Sequence, residues 1–290
     1  MFRLNDLLRG NNVPPERTAV LLHTPGEARL ARLLPFLAQE EPEILEAFQS
    51  VHSSRATATL RKRDFMVSFV RIEGGSLAMA GVFRNQGCID RPTQELAALP
   101  AMRRVINDFG ANADLETSGA ATWPWFDFVR ISALEHYKGR IQIRPRLTQS
   151  YARLAENLDA EIVALTEASV LVPSAPGWRD FVVTTAELRS LPANWSARLR
   201  EWRGVYLIVD ESDGVRYVGS AYGEENFLGR WRTHVGGEAG ITAKLKRRRV
   251  RDFRFSILER VSPDMQAEDV IRRERTWMDR LHTIQYGLNS

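Results

Sequence analysis

The sequence predicts an α+β protein: a small antiparallel three-stranded sheet flanked by helices near the C-terminus, preceded by a mixed α/β or barrel-containing N-terminal region. Residues 204–209 (GVYLIV) and 215–220 (VRYVGS) are apolar, strand-forming runs, and the loop between them ends in Asp213-Gly214. Two such runs joined by a short glycine-containing loop are typical of a β-hairpin. The partly alternating run at 253–259 (FRFSILE) predicts the third strand.

In the N-terminal region, short runs rich in β-branched and aromatic residues are mixed with helical patterns. Strands are predicted at 19–22, 64–72, 76–85, 126–131 and 140–143. Apolar residues with helical spacing follow Pro25, and Pro35 is expected to kink or end that helix. These patterns predict a small curved sheet or barrel but do not give its strand order.

The chain is predicted to have three parts. Residues 1–172 form an N-terminal α+β region that is a candidate recognition or regulatory domain. Residues 173–202 form a linker, beginning with PSAPGW, and a polar connecting helix. Residues 203–290 form the C-terminal domain. The total length of 290 residues suffices for two ordinary domains.

Composition narrows the class of protein. Hydrophobic residues make up 44% of the chain and charged residues 26%, which is typical of soluble globular proteins. One cysteine, Cys88, excludes an internal disulfide framework and a cysteine-clustered zinc site, and fits a reducing compartment. No apolar run is long enough for a membrane span and no signal peptide is recognisable, so a cytoplasmic location without a membrane partner is expected.

A helix is predicted after the hairpin, over residues 226–235. Its apolar stripe contains a histidine and consists of Phe227, Leu228, Trp231, His234 and Val235. Arg230 flanks the stripe, one turn before His234. A guanidinium and an imidazole therefore lie side by side at the edge of a packed face. The alternative interpretation is a surface arginine and a satisfied core histidine.

The final helix is predicted over residues 266–282, with a carboxylate inside its apolar face. The apolar stripe consists of Val270, Ile271, Trp277, Met278 and Leu281, and Glu274 falls in its middle. A carboxylate facing a packed side loses hydration, which is costly unless a cation or strong donors compensate. The partner is either an arginine, in a structural ion pair, or a divalent metal, which prefers oxygen ligands.

Residues 244–254 form a basic run with seven lysines or arginines and one aspartate. Such density is typical of a surface that binds polyphosphate, although a charge run is also found on ordinary solvated faces. The nucleic-acid-binding candidates are Lys244, Lys246, Arg247, Arg248, Arg249 and Arg251.

Taken together, residues 204–289 resemble the GIY-YIG nuclease domain, over about 30% of the chain. The two signature tripeptides are GVY at 204–206 and YVG at 217–219, and they are followed by Arg230, His234, Glu274 and Asn289. Valine replaces isoleucine in both tripeptides. The loop at 220–229 is a few residues longer than the family pattern, which makes Arg232 an alternative to Arg230, but the Arg-x-x-x-His spacing favours Arg230.

The resemblance implies hydrolysis of a DNA phosphodiester bond at a single-metal site. Glu274 would hold Mg²⁺ or Mn²⁺, and Arg230 would stabilise the charge of the pentavalent phosphorane. Tyr206 would be the general base or position the water, aided by Tyr217 and His234. A phenol is a weak base at neutral pH, so nearby positive charge is expected to lower the pKa of Tyr206.

The resemblance also implies supporting roles for three further residues. Asn289 would orient a catalytic or phosphate-contacting group. Gly219 would let the backbone pass close to the site, and Gly204 belongs to the first signature. No small-molecule cofactor is implied.

The function expected from the sequence is a metal-dependent DNA endonuclease, with the N-terminal region giving target specificity. Homing endonucleases of this family usually carry the nuclease first, and the reverse order here favours a restriction-like or phage-defence nuclease by analogy. The alternatives are a repair or recombination nuclease acting on branched or damaged DNA, and a non-catalytic nucleic-acid-binding protein. One site makes one nick, so double-strand cleavage requires a homodimer or two successive events.

Overall fold

The computed structural model describes residues 2–25, 28–146, 150–236 and 243–290. The chain divides into two compact units, Met1–Pro173 and Ser174–Ser290. The segment 173–202, expected to be a linker and connecting helix, contributes one strand and two helices to the second unit. None of the helices in the described ranges has the length and apolar character needed to cross a membrane.

The first unit is built on one curled sheet. Its strands are β1 Thr18–His23, β2 Phe65–Arg71, β3 Leu77–Pro92, β4 Thr122–Arg130, β5 Ile141–Ile143, β6 Ala152–Leu154 and β7 Ile162–Leu165. Their order is β6-β1-β2-β3-β5-β7, and β4 pairs with β3. The β1–β2 pair is parallel and the other pairs are antiparallel. The curved sheet that the sequence predicted is confirmed as a curled mixed sheet.

The helices of the first unit surround this sheet. They are α1 Leu4–Gly10, α2 Ala28–Glu40, α3 Pro42–Phe48, α4 Ser54–Leu60, α5 Thr93–Ala98, α6 Pro100–Phe109, α7 Asp114–Thr117 and α8 Ala155–Leu158. Pro35 lies inside α2, which continues to Glu40, so of the two expected outcomes, a kink or an end of the helix, the helix does not end at Pro35. Pro42 stands at the first position of α3, where its missing N–H costs nothing.

The central strand β1 is buried on both faces of the sheet. Val20 and Leu22 point into one apolar cluster, and Ala19 and Leu21 point into a second one. Because successive side chains of a strand point to opposite faces, a continuous apolar run is what a doubly covered strand requires. Accordingly, the sequence of β1, TAVLLH, is apolar except at its two ends, Thr18 and His23.

The second unit contains an antiparallel sheet of four strands: β8 Val182–Thr184, β9 Arg203–Asp210, β10 Arg216–Ala221 and β11 Phe253–Val261. Their order is β10-β9-β11-β8. The three predicted strands are β9, β10 and β11. The fourth strand, β8, pairs three residues with β11 and is too short to show a period in the sequence.

The helices of the second unit are α9 Thr185–Arg189, α10 Ala193–Glu201, α11 Asn226–Gly236, α12 Ala243–Lys246, α13 Ala267–Arg280 and α14 Thr283–Tyr286. The polar helix predicted at 184–202 is two helices, since Pro192 precedes the second. Thr184 and Glu187 form a capping box that begins the first of them. Helix α11 packs on β9 and β10, and α13 packs on the same two strands.

Candidate active site

The hairpin of β9 and β10 places one tyrosine across a glycine. Tyr206 pairs with Gly219 in the strand register. A Cβ atom added at Gly219 would overlap the phenol of Tyr206 and lie 2.9 Å from the ring of Tyr217. The glycine of the second tripeptide therefore makes room for the tyrosine of the first.

Gly204 begins the same hairpin under a different constraint. Its φ is +148°, and a Cβ there would overlap the carbonyl oxygen of Glu259. The ladder between β9 and β11 shifts register between Ile257, which pairs with Tyr206, and Glu259, which pairs with Val205, so a β-bulge lies next to the pair formed by Gly204 and Arg260. Glycine is required because the bulged strand passes so close to it.

Tyr206 and His234 form a buried polar pair. The phenol oxygen Oη of Tyr206 lies 2.7 Å from Nε2 of His234. The two residues are 0% and 1% exposed. Burial, assisted by the charge of Arg230, lowers the pKa of His234 to about 3, so its imidazole is neutral at physiological pH. Helix α11 therefore presents His234 to the sheet as predicted, with Phe227 and Trp231 buried on the same face.

The two phenols keep their protons at neutral pH. Burial raises the pKa of Tyr206 well above its ordinary value, and the neighbouring Tyr217 adds to this effect. Burial also raises the pKa of Tyr217. Arg230 acts in the opposite direction on both groups but is outweighed. The positive charge expected beside Tyr206 is present, and desolvation exceeds its effect.

Arg230 connects the phenols to an open groove. Its guanidinium interacts with both Tyr206 and Tyr217 and is partly buried. It lines a groove of about 680 Å³ together with Ser220 and Glu274. Arg232 lines the same groove but is exposed. The contact with both phenols favours Arg230 as the motif arginine.

Glu274 stands on α13, where it faces β10. The hydroxyl of Ser220 donates a hydrogen bond to Oε2 of Glu274. Burial raises the pKa of this carboxyl group, although Ser220, Arg230 and Arg275 partly offset the effect. The predicted apolar stripe around Glu274 is wrong at Ile271, which is 38% exposed, whereas Val270 is fully buried. The apolar face of α13 is therefore narrower than the sequence pattern indicates.

Ser220 is the site residue that sequence reasoning missed. It directly follows the second tripeptide and is the second-last residue of β10. A serine at a strand end carries no distinctive signal by itself. Its significance comes from α13, which packs against β10 and brings Glu274 to its hydroxyl.

A divalent metal fits the donors at this groove. Across the described ranges, no group of three or more histidine, cysteine, aspartate or glutamate side chains is placed to hold a metal ion. Glu274 opens onto this polar groove, which Glu224 and Glu225 also line, and such a site suits Mg²⁺, which usually retains several waters and binds through one or two carboxylates plus phosphate oxygens. Glu274 is the residue that could hold such an ion, with Ser220 orienting its carboxylate.

Asn289 is directed at the backbone of β10 rather than at the groove. Its Oδ1 accepts a hydrogen bond from the N–H of Val218 at 2.9 Å, and its Nδ2 donates to the carbonyl of Val218 at 2.8 Å. Asn289 is 2% exposed. Because Val218 separates Tyr217 from Gly219, the amide of Asn289 holds the second tripeptide in position.

The basic run has two kinds of members. Arg248 is engaged with the hairpin turn: its Nη1 lies 3.3 Å from Oδ2 of Asp210 and also pairs with Asp213. The pKa of Asp213 is lowered, chiefly by its hydrogen bond with Arg248. Lys244 donates from Nζ to the carbonyl of Asn289 at 3.0 Å. Among the nucleic-acid-binding candidates, the exposed ones are Lys244, Lys246, Arg247, Arg249 and Arg251.

An exposed aromatic ring lies beside part of this run. Tyr286, on α14, is 74% exposed. It lines a shallow groove of about 550 Å³ together with Lys244, Arg247 and Arg248. Cations beside an exposed aromatic ring are the combination that nucleic-acid-binding surfaces use for phosphates and bases.

Comparisons with known proteins found matches to part of the chain. The sequence model of the family "GIY-YIG catalytic domain" matches residues 203–287. The catalytic domain of the homing endonuclease I-TevI is 28% identical, covering 30% of this chain and 96% of that chain with a TM-score of 0.26. A mutant of the same intron endonuclease domain is 27% identical, covering 30% and 92% respectively, also with a TM-score of 0.26. No curated protein sequence matches the chain.

The matched range contains both tripeptides and the candidate residues of α11 and α13, whereas Asn289 lies two residues beyond its end. The resemblance predicted from the sequence is confirmed: residues 203–287 of this chain match the family model of the GIY-YIG catalytic domain.

Proposed function

We propose that the protein is a metal-dependent DNA endonuclease that hydrolyses a phosphodiester bond at the groove beside β10, and that the unit Met1–Pro173 directs it to its target in a restriction-like or defence role. The observation that carries the proposal is the convergence of Arg230 and the Ser220–Glu274 pair on one groove, with the Tyr206–His234 pair in contact with Arg230. All of these residues lie inside the GIY-YIG catalytic domain.

Glu274 is the proposed metal-holding residue. When bound there, Mg²⁺ or Mn²⁺ would polarise the scissile phosphate and stabilise the leaving oxygen. The hydrogen bond from Ser220 fixes one carboxylate oxygen of Glu274. The raised pKa of Glu274 also indicates that a nearby cation would be favourable, since the carboxylate loses hydration in this position.

Arg230 is the proposed phosphate-binding residue. Its guanidinium lies at the groove and is always charged, so it can donate charge-assisted hydrogen bonds to the phosphate oxygens. These bonds strengthen as negative charge develops on the pentavalent phosphorane. An anion bound at Arg230 would also offset the effect of that arginine on the pKa of His234.

The phenols are proposed to position the attacking water. The raised pKa values of Tyr206 and Tyr217 favour this role over the general-base role, because little phenolate forms near neutral pH. The hydrogen bond to His234 orients the phenol of Tyr206. Arg230, in contact with both phenols, couples that orientation to the bound phosphate.

The exposed members of the basic run are proposed to contact the DNA backbone. Cations that neutralise phosphates supply sequence-independent affinity, which a small catalytic domain needs but cannot use to select a target. The proposal therefore assigns target selection to the first unit. One groove cuts one strand, so two copies of the chain or two successive events would be needed for double-strand cleavage. A DNA substrate fits the cytoplasmic location that the single cysteine suggests.

The test is a nicking assay on supercoiled plasmid and on branched and base-modified DNA, with Mg²⁺ or Mn²⁺. Glu274→Ala and Tyr206→Phe are expected to lower the rate of nicking by about 100-fold or more while DNA binding persists. Glu268→Ala is the matched control, since Glu268 is an exposed carboxylate in the first turn of the same helix.

Chelation by EDTA is expected to stop nicking by the unsubstituted protein and by the Glu268→Ala control. Undiminished cleavage by both Glu274→Ala and Tyr206→Phe would refute the proposed site. A preference for branched DNA over plain and modified duplexes would replace the restriction-like role with a repair or recombination role.

A further inference from the structure

The first unit contains a pocket of its own, with a volume of about 320 Å³. This volume is at the lower end of the range for small-molecule sites, roughly 300–1,000 Å³. Five of its lining side chains carry rings: His23, Phe48, His52, Trp123 and Tyr151. They come from β1, α3, the loop before α4, β4 and the residue before β6, so several separate parts of the fold build the pocket.

Hydrogen bonding and ring packing fix the position of His52 in the pocket wall. Nδ1 of His52 lies 3.2 Å from the hydroxyl oxygen of Tyr151. The edge of His52 packs against Phe126 and Phe128, with ring centroids 5.6 Å and 6.2 Å away. Such packing and hydrogen bonding limit the rotamers of His52, so the pocket wall is preorganised.

The second histidine is held in a similar way. His23 is 6% exposed, and its ring centroid lies 5.3 Å from that of Phe48. Burial lowers the pKa of His23 to about 4 and that of His52 to about 3. Both imidazoles are therefore neutral at physiological pH and contribute aromatic rings without a positive charge.

The chemistry of the wall restricts the ligand. Among the described lining residues there is no lysine or arginine, so an isolated phosphate would find no cation there. The side chains of Asn112 and Asp114 also line the pocket and can accept hydrogen bonds from a ligand. Aromatic rings, neutral imidazoles and these acceptors together suit a flat heteroaromatic ring that carries N–H donors.

We propose that this pocket receives a single nucleobase turned out of a DNA duplex, with the aromatic rings stacking on the base and the neutral polar edges reading it. The inference rests on the proposed function, because that function supplies DNA as the substrate. Proteins that read or modify one base take it out of the stack into a close-fitting pocket, and they pay less to do so when the base is mispaired. The first unit would then select the target by inspecting a base rather than by reading a groove.

The experiment measures DNA binding by fluorescence anisotropy in EDTA, so that no cleavage takes place. The probes are 30-base-pair duplexes, fully paired or with one central mismatch that presents each of the four bases in turn. Free deoxynucleosides are tested in parallel as competitors. The unsubstituted protein is expected to bind at least one mismatched duplex about tenfold more tightly than the paired duplex.

Trp123→Ala and His52→Ala are expected to remove that preference, since loss of a stacking ring lowers affinity by about tenfold or more. Trp125→Ala is the matched control because Trp125 is on the same strand but lines a different groove, and it should keep the preference. Trp123→Phe retains an aromatic ring and should keep part of the preference for the mismatched duplex. Circular dichroism checks that each variant is folded.

Equal affinity of the unsubstituted protein for all paired and mismatched duplexes would overturn the proposal. So would a preference that survives both Trp123→Ala and His52→Ala in folded protein. Binding of free deoxynucleosides that duplex DNA does not displace would assign the pocket to a free nucleoside instead. Failure of the nuclease would be seen separately: nicking would be absent with Mg²⁺ or Mn²⁺ while the mismatch preference remained.

Discussion

Oη of Tyr206 and Nε2 of His234 lie 2.7 Å apart and connect the strand β9 to the helix α11. Both residues are buried, with at most 1% of their surface exposed to solvent. The ring centroids of Phe227 and Trp231 lie 6.3 Å and 6.2 Å from that of Tyr206. The polar pair is therefore enclosed by aromatic rings, and each member supplies the other's hydrogen bond in the absence of water.

This enclosure predicts a dependence of stability on pH. The pKa of His234 is about 3 in the folded state, below the ordinary value of about 6.5 that the unfolded chain restores. Between these values the unfolded state binds the proton and the folded state does not. The free energy of unfolding should therefore fall as the pH is lowered through this window, by up to about 1.4 kcal/mol per pH unit from this residue.

Urea unfolding at pH 7.5, 6, 5 and 4.5 would measure this dependence. His234→Gln should make it shallower, because glutamine does not titrate. His282→Gln is the control, since His282 is exposed, and it should leave the dependence unchanged. An equally steep dependence in the His234→Gln variant would show that His234 is not the source.

Gly219→Ala is expected to damage the site through sterics alone. The added Cβ would overlap the phenol of Tyr206 and displace it from His234. We expect a loss of about 1–3 kcal/mol in the free energy of unfolding and a strong loss of nicking. Gly223→Ala is the control, because nothing lies within 4 Å of a Cβ at that position. Matching stability of the two variants would contradict the close approach.

Asn289→Ala is expected to release the edge strand β10. The N–H and the carbonyl of Val218 would both lose their partner, at a cost of about 2 kcal/mol or more. Hydrogen exchange of the Val218 amide should become faster. Asn289→Asp keeps the acceptor for that amide and loses the donor, so it should preserve more of the protection. An unchanged exchange rate in Asn289→Ala would show that other contacts hold the strand.

The members of the basic run should differ in their response to salt. Arg247→Ala and Lys246→Ala should each reduce the slope of log affinity against log salt by about 0.9, the value for one phosphate contact. Arg248→Ala should mainly lower stability, because Arg248 pairs with Asp210 and Asp213 in the hairpin turn. Equal changes in slope for all three variants would contradict this division.

The sequence predicts much of the catalytic domain because its residues lie on regular elements. The stripe of α11 and the tyrosines of the hairpin follow from the helical and strand periods, and α13 packs as a helix with Glu274 facing the sheet. The exposure of Ile271 was not predictable, because it depends on how much of α13 the sheet covers.

The contacts between elements are what the sequence could not predict. The hydrogen bond from Ser220 to Glu274 and the clamp of Asn289 on Val218 join residues 54 and 71 positions apart. The pKa of Tyr206 depends on the balance between burial and the charge of Arg230, which becomes visible only when both are placed. In the first unit, the parallel pairing of β1 with β2 likewise depends on tertiary packing.

The division of the chain at Pro173 and Ser174 bears on how such a protein evolves. Every residue of the proposed cutting site belongs to one side of this division, and every residue of the proposed base pocket belongs to the other. Substitutions of the aromatic residues that line the pocket can therefore accumulate without changing the residues of the proposed hydrolytic site. A lineage that faces new DNA targets could replace the unit Met1–Pro173 and keep the unit Ser174–Ser290 unchanged.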